Sequence, residues 1–279
     1  MKLALQHPLI PGNTPADQAR WALDHGVAAV ELNGFAVKSL DGLRALADAF
    51  AQHLPVCALC GNFDPATWAP SFDFVHRDAA RREASIAHAA ELLELCGAFA
   101  MVGQVVPPGL FKPPAPQPEG EAVSAASLER ELIVEACRAL GPVAASHGTR
   151  LIVEPLNRYE QRQPNTVADA AAIVDDANTE GLGIVPDTFH MNIEEDDLAA
   201  SIHAIGVESM VHFHLGDNQR REPGSGAIDF EACFEALRAI GYDGHVSLEC
   251  GITGDTTSEK AASLAASCAR LDALLTAHV

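Results

Sequence analysis

The feature that most constrains this chain is an apolar run that ends on a charge. Leu151-Ile152-Val153 leads straight into Glu154, and Pro155 then stops the pattern. A short, uniformly apolar run of this kind reads as a parallel strand buried on both faces, with the acid at its end. Leu182-Gly183-Ile184-Val185-Pro186 closes the same way on Asp187, and Val246-Ser247-Leu248 closes on Glu249. A fourth run, Met210-Val211-His212-Phe213, closes on His214.

The rest of the chain alternates around these runs. Strands are predicted at Leu3 to Gln6, Val27 to Leu32 (ending near Glu31), Val56 to Cys60 and Phe99 to Val102. The later strands are Leu151 to Glu154, Leu182 to Asp187, Ser209 to Leu215 and His245 to Glu249. Helices are predicted between them, beginning at Thr14-Pro15, Ser39, Val75, Ser127, Thr166, Glu195, Phe230 and Ser258. Asn33-Gly34 and Gly61-Asn62 read as turns. Eight strands alternating with eight helices in 279 residues predict one domain over 1–279, a closed (β/α)8 TIM barrel. A proline- and glycine-rich stretch at about 104–125 interrupts the alternation and reads as an inserted loop, either solvated or a lid.

Composition narrows the class. Hydrophobic residues make up 48% of the chain, enough for a sizeable core. A net charge of −20 repels phosphates, which argues against a nucleic-acid partner and an anionic membrane surface. There is no basic-then-apolar leader pattern at the start, and no apolar run long enough to span a bilayer. Seven cysteines, an odd number, suit free thiols in a reducing compartment, and a cytoplasmic location is expected. Cys57 and Cys60 have the spacing of a chelating pair, but residues three apart on a strand face opposite ways, so both are expected to be structural.

Active sites on TIM barrels lie at the C-terminal ends of the strands. The four endings Glu154, Asp187, His214 and Glu249 fall on four successive strands, so the fold would aim them over one mouth. Three carboxylates and an imidazole form a hard, oxygen-rich set that suits Mn²⁺, Mg²⁺ or Co²⁺. Without a cation these carboxylates would repel one another, unless nearby arginines paired with some of them. His212 and His214 share a strand face. His214 lies nearer the mouth and is the chosen ligand, which leaves His212 as a layer residue inside the barrel. Glu160, His190 (in a turn after Asp187) and Arg220 with Arg221 (in the loop after His214) are groups suited to sugar oxygens.

The stretches Glu154-Pro155-Leu156-Asn157-Arg158-Tyr159-Glu160, Asp187-Thr188-Phe189-His190-Met191-Asn192-Ile193-Glu194-Glu195, and His212-Phe213-His214 with Arg220-Arg221 and Pro223-Gly224-Ser225-Gly226 resemble the ketose 3-epimerases. Those enzymes include the D-tagatose and D-psicose 3-epimerases, within the xylose-isomerase-like barrels. The resemblance implies that Glu154, Asp187, His214 and Glu249 bind one metal ion, usually Mn²⁺, and that Glu154 and Glu249 are also the acid–base pair. It implies that Glu160, His190 and Arg220 hold the substrate, and that the chain forms a dimer or tetramer. The first strand departs from the family: it reads Gln6-His7-Pro8-Leu9-Ile10 where those epimerases carry aromatic residues against the far end of the sugar.

The expected reaction is therefore inversion at C3 of a ketose through a cis-enediolate, with the proton traded between two opposed glutamates. Three alternatives use the same enediolate: aldose–ketose isomerisation, a hydroxypyruvate-type isomerisation, and dehydration of a keto-sugar or inosose. The more distant apurinic endonuclease barrels need a basic surface and extra histidine and carboxylate ligands for several zinc ions, and the charge of −20 counts against them. A non-catalytic sugar-binding barrel would need no pair of opposed bases.

Overall fold

Eight short strands define the architecture: β1 (Lys2–Gln6), β2 (Ala29–Asn33), β3 (Val56–Cys60), β4 (Gln104–Val106), β5 (Leu151–Val153), β6 (Leu182–Ile184), β7 (Phe213–Leu215) and β8 (His245–Leu248). The computed structural model describes residues 1–37, 39–61, 74–76, 78–109 and 125–277. The strands are hydrogen-bonded in the order β6-β5-β4-β3-β2-β1-β8-β7, every neighbouring pair parallel. Two parallel bridges, Ile184 to Met210 and Asp187 to His214, join the outer strands and close the ring. The second bridge is fastened by His214 N–H donating to the Pro186 carbonyl at 2.9 Å. Closure therefore brings two of the expected ligands side by side. The result is the TIM barrel that the alternating pattern predicts.

Around the strands run α1 (Pro15–Asp24), α2 (Leu40–Ala51), α3 (Ala79–Ala98), α4 (Ala125–Ser146), α5 (Val167–Ala177), α6 (Thr188–Glu194), α7 (Leu198–Ser209), α8 (Phe230–Ala239) and α9 (Thr257–Thr276). Local chemistry sets their starts. Thr14 accepts from Asp17 N–H ahead of Pro15, and Thr166 and Thr256 form reciprocal capping boxes with Asp169 and Glu259. One continuous core fills the layer between strands and helices, with Leu5, Phe50, Leu59, Phe213 and Phe234 all fully buried. At one point backbones touch. Gly181, just before β6, has φ of +77°, and a Cβ there would lie 2.0 Å from the Gly141 carbonyl oxygen on α4.

The structure moves several boundaries, among them β7, which begins at Phe213 and not Ser209, and α7, which begins at Leu198 and not Glu195. The fourth strand is Gln104–Val106, not Phe99 to Val102, so the proline-rich insertion starts after the strand and not at 104. The reason is a buried turn. Phe99 caps α3, Ala100 takes a left-handed φ of 52°, and Met101 N–H returns to the Cys96 carbonyl at 2.9 Å. The apolar run at 99–102 packs that turn, with Met101 buried. Helix α3 begins at Ala79, four residues later than the apolar pattern implies. His190 sits in a short helix, α6, and not in a turn. Residues 110–124 of the insertion, and Asn62 of the expected turn, lie outside the described residues.

Candidate active site

Each expected ligand is placed by the element that ends or begins at it. Glu154 follows β5 directly, its N–H donating to the Val106 carbonyl of β4 at 3.0 Å. Asp187 is the N-cap of α6: Oδ1 accepts from Phe189 N–H at 2.7 Å, which leaves Oδ2 for the mouth. His214 lies inside β7, and Glu249 follows β8 with its N–H on the Leu215 carbonyl at 3.1 Å. Glu154, Asp187 and His214 are buried, and Glu249 is nearly so.

These side chains converge. His214 Nδ1 lies 3.0 Å from Glu249 Oε2 and 3.4 Å from Glu154 Oε1. Ligand atoms of Glu154, His214, Glu249 and Cys60 all fall within 4.8 Å of one another, as do those of Glu154, Asp187 and His190. Glu154 belongs to both groups. Arg220 reaches in from the loop after β7, with Nη1 at 3.5 Å from Asp187 Oδ2 and Nη2 at 3.3 Å from Glu249 Oε2. An arginine thus does pair with two of the carboxylates.

The substrate candidates ring the same mouth. Arg220 Nη1 is 2.7 Å from His190 Nε2, and its guanidinium stacks 4.6 Å over the Phe189 ring. Asn157 N–H donates to His190 Nδ1 at 3.1 Å, and Asn157 Nδ2 donates to Glu160 Oε1 at 2.9 Å. Arg220 has a left-handed φ of 54° inside a loop tied by Asp217. The Asp217 carboxylate accepts from the N–H groups of Asn218, Gly224, Gly226 and Ile228. A Cβ on Gly226 would collide with that carboxylate at 2.5 Å, so the close wrap requires glycine. The Arg221 side chain is exposed.

The electrostatics separate the two glutamates. Burial, and then the charge of Glu249, push Glu154 up towards a protonated carboxyl. Burial opposes ionisation of Glu249 too, but His214 and Arg220 beside it hold its carboxyl well below the usual range. Burial raises Asp187, although Arg220 pulls the other way. Burial works against a charge on His214, yet Glu31 and Glu249 hold its proton well above the ordinary range. His190 is pushed down to about 3 by burial and then by Arg220.

The donor set fits a divalent cation on two observations. Glu249 Oε2 is buried and, although ion-pair contacts lie at 3.0 and 3.3 Å, it makes no hydrogen bond. Its lone pairs are free for a further ligand. The expected donors are also three carboxylates and one imidazole, the composition that hard divalent ions take, with Asp187 grouped with Glu154 and His190 and not with His214 and Glu249.

Three neighbours of the site were not read from the sequence. Glu31, on β2, lies 3.2 Å from His214 Nε2 and 2.5 Å from His212 Nε2. Only its place in a run of apolar residues hinted at it. Burial counts against its charge, but His214 and His212 hold its carboxyl well below the usual range. Cys60, expected to be structural, donates to Glu249 Oε1 at 3.3 Å. Cys57 packs elsewhere, with Ala4, Ala29 and Ala58. Asn157 joins His190 to Glu160, and its place in the strand-end motif was the available signal.

Known proteins share this fold and sequence pattern. Residues 19–272 match the model of the xylose isomerase-like TIM barrel family. A 3-dehydro-D-guloside 4-epimerase of Escherichia coli K12 is 32% identical over 89% of this chain and 92% of its own. A D-psicose 3-epimerase of Agrobacterium fabrum is 39% identical over 42% of this chain and 40% of that protein. The crystal structure of a 3-keto-D-glucoside 4-epimerase from E. coli superposes with a TM-score of 0.82 at 29% identity, over 99% of this chain and 100% of that one. The chain is therefore an enzyme of the xylose isomerase-like TIM-barrel family, standing among its sugar epimerases.

Proposed function

We propose that this enzyme is a divalent-metal-dependent keto-sugar epimerase that inverts the hydroxyl-bearing carbon next to a sugar ketone. The observation that carries the reading is the meeting of Glu154 and Glu249 at His214 Nδ1, from strands three steps apart in the ring, in environments that drive their carboxyls in opposite directions. Two carboxyls set apart in this way are the acid–base arrangement that inversion needs. One takes the proton from one face of the carbon, a cis-enediolate forms, and the other returns a proton to the opposite face.

Glu154, Asp187, His214 and Glu249 would hold the ion, with Mn²⁺ the first choice and Co²⁺ or Mg²⁺ possible by the same donor chemistry. A bound divalent ion would polarise the ketone and offset the charge that develops on its oxygen. Glu160, His190 and Arg220 orient the sugar through its other oxygens. Seven free thiols suit a reducing compartment, so the proposed location is the cytoplasm. Among the described residues, no helix is long and apolar enough to cross a membrane. Assembly as a homodimer or homotetramer belongs to the same proposal.

Two substrate classes fit the step. The strand-end motifs favour a free ketose inverted at C3. A 3-keto-glycoside inverted at C4 has the wider support, because the relative of that type matches along nearly its whole length. The absence of aromatic residues from Gln6-His7-Pro8-Leu9-Ile10 points the same way. The test is deuterium incorporation from D2O next to the ketone, with Mn²⁺ supplied. The panel is 3-keto-glucosides and 3-keto-gulosides beside D-fructose, D-psicose and D-tagatose. Exchange with inversion in one class is expected. No exchange across the panel would sink the reading.

A further inference from the structure

The geometry points to Glu31 as the residue that sets the tautomer and the ring orientation of His214. This rests on the reading of His214 as a cation ligand, and it concerns a residue outside the four expected ligands, although Glu31, His212 and His214 are close enough to one another to form a donor group of their own.

Glu31 is fully buried on β2, a strand that contributes nothing else to the ligand set. Its Oε2 stands 3.2 Å from His214 Nε2 and 2.5 Å from His212 Nε2, and its Oε1 accepts from Gln6 Nε2 at 2.9 Å. Gln6 is itself fixed, its Oε1 accepting from Asn33 Nδ2 at 2.9 Å. The carboxylate is therefore locked from three sides.

The consequence follows from what an ionised carboxylate can do. It only accepts hydrogen bonds, so each imidazole nitrogen facing it carries a hydrogen. For His214 that nitrogen is Nε2. Without the ion Nδ1 also carries a hydrogen, toward Glu249; a cation would displace that one, because Nε2–H stays on Glu31, and the neutral ring then offers its lone pair at Nδ1. A cation ligand needs that lone pair, and a carboxylate on the opposite nitrogen fixes the tautomer and raises the ring's basicity. His212 follows the same logic: its Nε2–H goes to Glu31, and its buried Nδ1 has no hydrogen-bond partner, as a bare lone pair tolerates. The two rings meet edge to face at 5.1 Å, so His212 also braces the plane of His214.

The experiment uses metal-stripped full-length protein. Calorimetric titration with Mn²⁺ should show Glu31→Gln binding about 10–100-fold more weakly than the wild type, the usual cost of losing such a partner. Thermal unfolding of both proteins without metal separates this loss from misfolding. ¹⁵N NMR of the Zn²⁺-loaded wild type reads the tautomer independently of any variant. Hydrogen on His214 Nε2, with Nδ1 bare, is expected. Equal Mn²⁺ affinity in Glu31→Gln, or hydrogen on Nδ1 in the loaded wild type, would overturn the assignment of Glu31 alone. A wild type that binds no Mn²⁺ would overturn the cation reading and this inference with it.

Discussion

Arg220 Nη1 stands 2.7 Å from His190 Nε2, so a permanent cation leans on an imidazole that carries no charge. A neutral imidazole accepts through one nitrogen only. The Asn157 N–H already uses Nδ1, so the Arg220 contact is one that a sugar oxygen would relieve by coming between the two side chains. With its proton affinity pushed down to about 3, His190 stays neutral throughout the working range. Its ring ¹H shifts should be flat from pH 5 to pH 9. His190→Ala should raise KM more than it lowers kcat, by about tenfold, for loss of roughly one hydrogen bond. A titration near pH 6.5 assigned to this ring would contradict the geometry.

The two glutamates predict an asymmetric defect. Glu154→Gln and Glu249→Gln should each lower the rate of inversion by about 10²–10⁴. Each variant should still wash deuterium into one epimer and not the other, because a single base reaches one face of the carbon. NMR of both epimers in D2O reads the difference. Loss of exchange in both directions from either variant would argue against two opposed bases.

Removing the ion has two readouts. Dialysis against a chelator should abolish turnover, and Mn²⁺ should restore it. At a hundredfold excess over Kd, bound Mn²⁺ should stabilise the fold by about 2.7 kcal/mol. Arg220 supplies part of the same charge balance through Asp187 and Glu249. Arg220→Gln should therefore lower the Tm of the metal-free protein and enlarge the Tm gain on adding Mn²⁺.

Two other histidines, besides His190, contribute to the acid limb of stability. Burial pushes His7 and His245 down to about 4. Below pH 6.5 the unfolded chain takes up protons at these positions that the folded chain refuses, so stability falls as the pH drops from 6.5 towards 4. Above 6.5 both states are neutral there and neither group contributes. Urea midpoints measured across this window should flatten in the double variant His7→Gln, His245→Asn. An unchanged limb would assign the acid sensitivity elsewhere.

The contact between β6 and α4 gives a stability comparison. Gly148 and Gly181 both have positive φ, but a Cβ at Gly148 meets nothing within 4 Å while one at Gly181 strikes the Gly141 carbonyl at 2.0 Å. Alanine at Gly148 should cost only the backbone strain, about 1–2 kcal/mol. Alanine at Gly181 should cost about 1–3 kcal/mol more for the overlap. Chemical denaturation of both variants checks the difference.

The barrel was legible because its strands are short apolar runs with a polar residue at the end, a local pattern that needs no partner to be seen. Val56 to Cys60 behaves as its sequence says for this reason, and the helix predicted from Thr166 starts there because its side chain caps it. The misplaced fourth strand has the opposite cause: Phe99 to Val102 is as apolar as a strand, yet it packs a buried turn. Helix α6 is only seven residues long, too short to show periodicity, and it exists because Asp187 caps it. At the site, the residues that close the four later apolar runs could be read, and Glu31 and Cys60, on β2 and β3, could not. Nothing local marks them until the ring closes and sets them against His214 and Glu249.

The wrap of the β7 loop around Asp217 has a consequence for the charge at the mouth. It anchors Arg220 by its backbone, with the Gly251 N–H on its carbonyl at 2.8 Å, and aims the long side chain at Asp187 and Glu249. The barrel thus carries a tethered counter-ion of its own. Two of the carboxylates at the mouth are thereby balanced by a residue of the chain itself.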